Sequence, residues 1–193
     1  VGDDKLSLEA ISHWPTLRWL LDSAFACNNA RIEKDGAGYR VIGDPTEGAL
    51  VCLAEKAGLR GVHQRLHLNP FESFRKRMSV VIKAQARGAP MIYVKGAPVE
   101  TLERCDRLHW NGEVQPLTSA DRQRILEQND AMAQRGLRVL AFAYRDGREL
   151  NGAPFTNTGI EEHLVYLGLV ALSDPVRPEV PAAIQACHAA GIR

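Results

Sequence analysis

At 193 residues, with 45% hydrophobic side chains, the chain can bury one good core and at most a fragment of a second, since domains run to about 100–200 residues. Its 24 Lys and Arg stand against 23 Asp and Glu, a formal charge of +1, so no net field draws nucleic acid or an anionic membrane and any anion must be met locally. No run approaches the roughly 20 apolar residues needed to cross a bilayer, and Val1 begins neither a signal peptide nor an obvious natural start, so the expectation is a soluble piece of a longer protein.

In chain order, "SLEAISHWPTLRWLLDSAFAC" carries Leu8, Ile11, Leu17, Leu20, Leu21 and Phe25 at helical spacing around Pro15, which predicts a broken or paired helix ending near Asn28–Asn29. "GYRVIG" is a short strand. "DPTEGALVCLAEKAG" is a helix with Asp44 or Thr46 as N-cap, Glu47 in its first turn and Gly58 as its stop. Strands follow near 64–70, 78–84 and 90–95, joined by loops around Ser73 and "ARGAP", the latter a hairpin loop with Gly88. "PVETLERC" is a short helix, and "TSADRQRILEQNDAMAQRG" a long amphipathic one capped by Ser119 or Thr118 and stopped by Gly136. "LRVLAFAYR" and "LVYLGLVALSD" are strands separated by "RDGRELNGAPFTNTGIEE", polar and Gly-rich enough for a mobile loop. "RPEVPAAIQACHAAGIR" closes as a helix with Pro178 near its first turn. Consecutive strands on tight loops imply an α+β domain, an antiparallel β-sheet with helices segregated to its flank.

Cys27, Cys52, Cys105 and Cys187 stand far apart without a C-x-x-C pair and lie inside apolar patterns, which favours reduced, buried thiols in a cytosolic setting over disulfides or zinc. Neither Gly-rich phosphate cradle, G-x-x-x-x-G-K-[ST] or G-x-G-x-x-G, occurs. Among six histidines only His63 and His67 are close enough to interest a metal, and no carboxylate flanks them. No Ser or Cys sits on a nucleophile elbow. The chain reads as a binder more than a self-contained catalyst.

Three stretches suggest what is bound. "NPFESFRKRMSVVIK" puts Phe71 ahead of a strand, where a ring can stack on a base for about 1–3 kcal/mol, and Lys76 within reach of a phosphate; the plainer alternative makes Phe71 and Phe74 core and the three cations a solvated edge. "YVKGAP" drives a strand into Lys95–Gly96, a lysine beside a glycine that permits close approach, or simply a hairpin exit. "RGLRVLAFAYR" places Arg138 at a strand start after a Gly-stopped helix.

Taken in order, "GDPTEGAL", "PFESFRKRMSVV", "VKGAP", "RGLRVLAFAYR" and "LGLVALSDPVRPEVPAAIQACHAAGIR" make the chain resemble the nucleotide-binding domain of P-type cation-transporting ATPases, nearest their calcium-pump-like bacterial branch. The resemblance covers most of the chain from Gly43 onward and implies a nucleotide-binding domain over 1–173, followed by a hinge and the start of a phosphorylation domain over 174–193. Residue by residue it implies Glu47 beside the adenine amino group, where a carboxylate can only accept hydrogen bonds; the plainer role is a first-turn charge on the helix dipole. It implies Phe71 stacked on adenine, Lys76 lining the same pocket, and Lys95 at its deep end, with Gly96 admitting the ring. Arg138 would contact the phosphates and help bring the two domains together, Leu140 pack near ribose or base, and Asp174 with Arg177 form the return hinge, contacting ATP phosphate or ribose only in the closed, complete enzyme. Phe74 stands where the family carries a polar or acidic residue, so two aromatics compete and Phe71 is preferred; Val99 intervenes before Glu100 where the family usually has Glu.

The family's "DKTGT", "TGD" and "GDGxND" segments do not occur here, so the resemblance implies ATP binding without hydrolysis, with Mg²⁺ used in the full-length enzyme and not held by this chain. It implies as partners the phosphorylation and actuator domains of the same polypeptide, neither nucleic acid nor direct membrane contact, a monomer, and a place on the cytoplasmic side of a plasma (inner) membrane protein. Two alternatives stay open: a noncatalytic interaction module that kept the fold, and a haloacid dehalogenase-type hydrolase fragment suggested by "SDPVRPEVPAAIQACHAAGIR", although no Asp-x-Asp or Asp-x-Thr nucleophile follows an apolar strand.

Overall fold

In a computed structural model, which describes residues 13–36, 38–59, 64–83, 89–156, 159–174 and 179–192, helices start where the sequence supplies a proline or a capping oxygen. Helix α1 (Pro15–Ala26) has Pro15 in its first turn, where a missing N–H costs nothing. The proline therefore opens the helix; Leu8 and Ile11, which would form the part before the break, lie outside the described residues. After a two-stranded ribbon, β1 (Arg31–Asp35) and β2 (Gly38–Ile42), Asp44 caps α2 (Pro45–Lys56) by accepting from the N–H groups of Thr46 and Glu47 at 2.9 and 3.1 Å. Helix α2 presses against the ribbon at Gly48, where a Cβ would come within 2.3 Å of the Val41 side chain.

The remaining strands are β3 (Arg65–Glu72), β4 (Arg77–Lys83), β5 (Pro90–Gly96), β6 (Cys105–Trp110), β7 (Glu113–Pro116), β8 (Arg138–Asp146) and β9 (Leu164–Leu172). They form one sheet in the order β3-β4-β5-β8-β9-β6-β7. The short helix α3 (Pro98–Leu102) follows β5, and α4 (Ser119–Gln134) follows β7, closed by a reciprocal capping box between Thr118 and Asp121. Helix α5 (Val180–Ala189) ends the described chain with no buried residue; Pro178 and the Gly88 loop lie outside the described residues.

Two expectations are corrected. The sheet is mixed, because β6 pairs with β9 in parallel; parallel neighbours need a long crossover, supplied by everything from β7 through β8. Helices also cover both faces. On one, Leu20 and Ala24 of α1 and Leu50 of α2 meet Met78, Val80, Tyr93, Phe142 and Tyr144. On the other, Leu102, Ile125, Leu126 and Ile160 pack on Val81, Ile92, Val94, Ala141 and Ala143. The expected mobile loop between β8 and β9 carries a 3-10 turn at Gly147–Leu150 and delivers Ile160 and Glu161 fully buried.

The cysteines divide. Cys27 and Cys105 are buried, and burial pushes both thiols up to about 12. Cys52 and Cys187 are exposed, correcting the expectation of four buried thiols: Cys52 points away from the α2 face that buries Leu50, Val51 and Ala54. Because the thiolate is the reactive form, a thiol reagent at pH 8 should label Cys52 and Cys187 rapidly and the other two only in denaturant, as intact mass spectrometry would count. Four equally fast thiols would contradict the packing around Cys27.

Candidate nucleotide site

Glu47, in the first turn of α2, meets Lys95 near the end of β5: Nζ donates to Oε1 at 2.7 Å. Both side chains are largely withdrawn from solvent. Lys95 lies opposite Met78 and Phe142 in the sheet register, so its ammonium emerges over the apolar face beneath α1 and α2. Glu47 is held from the other side as well. Its Oε2 accepts from the Asn29 N–H at 2.9 Å, and its carbonyl from Asn28 Nδ2 at 2.8 Å. Arg65 reaches over from β3 to Asn29 Oδ1 and the Asn28 carbonyl. The Asn28–Asn29 pair, which the sequence offered only as a helix end, is thus a bracket that fixes the acid.

Next to this pair opens a cleft of about 470 Å³ lined by Asp44, Pro45, Thr46, Ala49, Gly136, Arg138 and Leu172 to Asp174. Arg138 Nη1 donates to Thr46 Oγ1 at 2.8 Å. Burial pushes the Asp44 carboxyl up, but the N–H groups of Glu47 and Thr46, the Thr46 hydroxyl and the charge of Arg138 outweigh it and hold the group below its ordinary value. That carboxylate occupies the N–H donors of the α2 N-terminus, so within the cleft Arg138 is the cation presented to an anion. Leu140 sits half-buried on the rim of the first core layer, and Asp174 is exposed at the cleft's edge. Arg177 lies outside the described residues.

The β3–β4 turn overturns the plainer expectation of two core rings and a solvated basic edge. Phe71 and Phe74 are 60% and 81% exposed, so neither is core. The three cations are not a solvated edge: Arg75 and Arg77 are each only 8% exposed, and both donate to the fully buried Glu161. Lys76 alone among them faces solvent, in a left-handed backbone conformation (φ 51°), with Nζ on Glu100 Oε1 at 2.5 Å. This contact holds the Glu100 carboxyl below its ordinary value and gives a partner to an acid for which the sequence supplied no role. The Lys76 carbonyl accepts from Ala97 N–H at 2.9 Å, which places the turn against the Lys95–Gly96 strand end. A Cβ on Gly96 would meet that carbonyl and Arg77 Cβ at 2.6 Å and Thr101 Oγ1 at 2.8 Å, so the fold itself requires the glycine. His67 is engaged by Asn69 Oδ1, and His63 lies outside the described residues. Among the described residues no three His, Cys, Asp or Glu gather to hold a metal ion.

The structure therefore joins Glu47 to Lys95, sets Arg138 against the residue before Glu47, and docks the Lys76 turn beside Gly96. A profile of the family described as "P-type ATPase, cytoplasmic domain N" matches residues 16–179. The chain belongs to that family. Like this N-domain, matching segments occur in the "Cation-transporting ATPase pma1" of Synechocystis (40% identical over 183 residues, 92% of this chain and 20% of that protein). The "Calcium-transporting ATPase 1" of Bacillus cereus is 37% identical over 91% of the chain and 19% of its own length. The "Calcium-transporting ATPase" of Bacillus subtilis is 35% identical over 94% of the chain and 20% of its own length. The N-domain thus spans about a fifth of these relatives. No helix among its described residues is long and apolar enough to cross a membrane.

Proposed function

We propose that this N-domain binds ATP and presents the γ-phosphate to an aspartate in a phosphorylation domain of the same polypeptide, within a cation pump of the plasma membrane for which the relatives' names suggest calcium. The observation that carries the reading is the withdrawn Glu47–Lys95 pair beside an Arg138-lined cleft. A carboxylate held from two sides can accept from an exocyclic amine, and it offers no proton to a 6-oxo purine. Phe71, exposed on the neighbouring turn, offers a ring face to the base; Lys76 and Lys95 supply positive charge; Arg138 takes phosphate. Leu140 borders the site, while Asp174 and Arg177 mark the return toward the next domain at 174–193. Mg²⁺ would be held by residues outside this chain, and when bound it supplies charge neutralisation at the phosphates. The domain acts as a monomer, meeting the phosphorylation and actuator domains on closure, and alone it binds nucleotide without hydrolysing it.

A ¹⁵N-HSQC titration with ATP and then GTP, without and with Mg²⁺, tests this. Saturable ATP shifts at Glu47, Phe71, Lys76 and Lys95, weaker with GTP, are expected. A flat ATP titration of the folded chain would overturn the reading in favour of an interaction module that kept the fold.

A further inference from the structure

Glu161 has no place in the nucleotide site, yet it is the fully buried acid among the charged side chains of the described core. It lies just before β9, in the segment that the sequence marks as a loop. Its Oε1 accepts from Arg75 Nη1 at 2.5 Å and from Ser79 Oγ at 2.7 Å, and its Oε2 from Arg77 Nε at 2.6 Å. Arg75 then reaches back along its own turn, donating to the Pro70 carbonyl at 2.7 Å and to Glu72 Oε2 at 2.5 Å. Arg77 Nη1 donates to the Arg75 carbonyl at 3.0 Å. Two carboxylates and two guanidiniums make a neutral cluster, and its hydrogen bonds bracket residues 70–77 from within. The acid is itself fixed, because Arg145 of β8 donates to the carbonyls of Gly159 and Glu162 on either side of it.

Phe71 and Lys76 need such a device. The β3–β4 ladder is irregular between Asn69 and Glu72, so no regular strand pairing orients Phe71, and its exposed ring has little packing to hold it. Lys76 sits between two arginines that point inward, and its left-handed backbone is kept only while the surroundings over-determine it. We propose that Glu161 is a positioning residue for nucleotide: through Arg75 and Arg77 it presets the turn that offers Phe71 and Lys76, so that binding does not have to order them. This rests on the ATP site proposed above.

The test compares ATP affinity and nucleotide-free amide spectra of the whole chain with those of Glu161→Gln and Arg75→Lys. The second variant keeps a cation beside Glu161 but lacks the fork that reaches Pro70, and it serves if burial of the glutamine prevents folding. Expected in either folded variant are displaced amides over Phe71–Lys76, unmoved amides at Thr46 and Arg138, and ATP binding weaker by about tenfold, the scale of one charge-assisted hydrogen bond. In a Phe71→Ala/Lys76→Ala background the same change should cost little further affinity, which a general loss of stability would not reproduce. Wild-type affinity in the folded variants, or an equal loss with and without those two side chains, overturns the assignment of Glu161 alone. A wild-type chain that binds no ATP overturns the site and this assignment with it.

Discussion

Replacing Gly96 by alanine is expected to cost about 2–3 kcal/mol of stability, the upper end of what overpacking usually costs, and to lower Tm by on the order of 5–10 °C for a chain of this size. The added methyl group would stand 2.6 Å from the Lys76 carbonyl oxygen. That oxygen cannot retreat freely, because it accepts the Ala97 N–H at 2.9 Å and belongs to a residue already in the left-handed region. Retreat on the other side is blocked by Arg77 Cβ, whose guanidinium is anchored on Glu161, and by Thr101 of α3. Whatever gives way, the β4 start moves, and Lys76 moves with it. Calorimetry should therefore show a destabilised but cooperative unfolding, and the residual folded protein should bind ATP more weakly than stability alone explains. An unchanged Tm would mean that the β4–β5 end is slack and that the closeness of Lys76 to Lys95 constrains nothing.

What could be read from the sequence divides along physical lines. Strands buried on both faces announce themselves: "LRVLAFAYR" and "LVYLGLVALSD" became the sheet centre, β8 and β9. Helix starts written in local chemistry, "DPTE" and "TSAD", were equally legible, since Asp44 and Thr118 cap as their spacing indicates. Exposed strands were legible only in part: "GYRVIG" marked β2, itself mostly exposed, while β1 and β7 went unread. The β1 sequence, "RIEKD", is mostly exposed, and β7 is an edge strand exposed throughout; the β6–β7 hairpin could still have been found from Asn111–Gly112, both at positive φ as a tight hairpin turn requires. The parallel β6–β9 pairing leaves no trace in either strand's composition.

The site shows the same limit. Glu47 as a first-turn acid and Lys95 as a strand-end cation were visible singly, but nothing local states that residues 48 apart in sequence form one ion pair. Arg75 and Arg77 misled for the same reason: a run of three cations is ordinarily solvated, and the acid that buries two of them lies 86 and 84 residues away. Burial of charge depends on a partner, and the partner here is tertiary.

Lys95→Met should separate the two roles of the Glu47–Lys95 pair. With the ammonium gone, Glu47 keeps its place in the Asn28–Asn29 bracket but loses its counter-charge in a site largely closed to water, so a loss of about 3 kcal/mol is expected, as for breaking a buried pair. ATP binding should disappear with it. Adding Glu47→Gln removes the stranded charge while keeping an oxygen for the Asn29 N–H, so the double variant should regain most of the lost stability, since a buried pair replaced as a whole is often close to neutral. It should not regain ATP binding, because neither the carboxylate acceptor nor the cation returns. Urea unfolding and calorimetric titration of the two singles and the double complete the cycle. Recovery of both stability and affinity in the double variant would place adenine elsewhere; recovery of neither would mean that the charge of Glu47 is tied to Arg65 and the asparagine bracket more tightly than to Lys95.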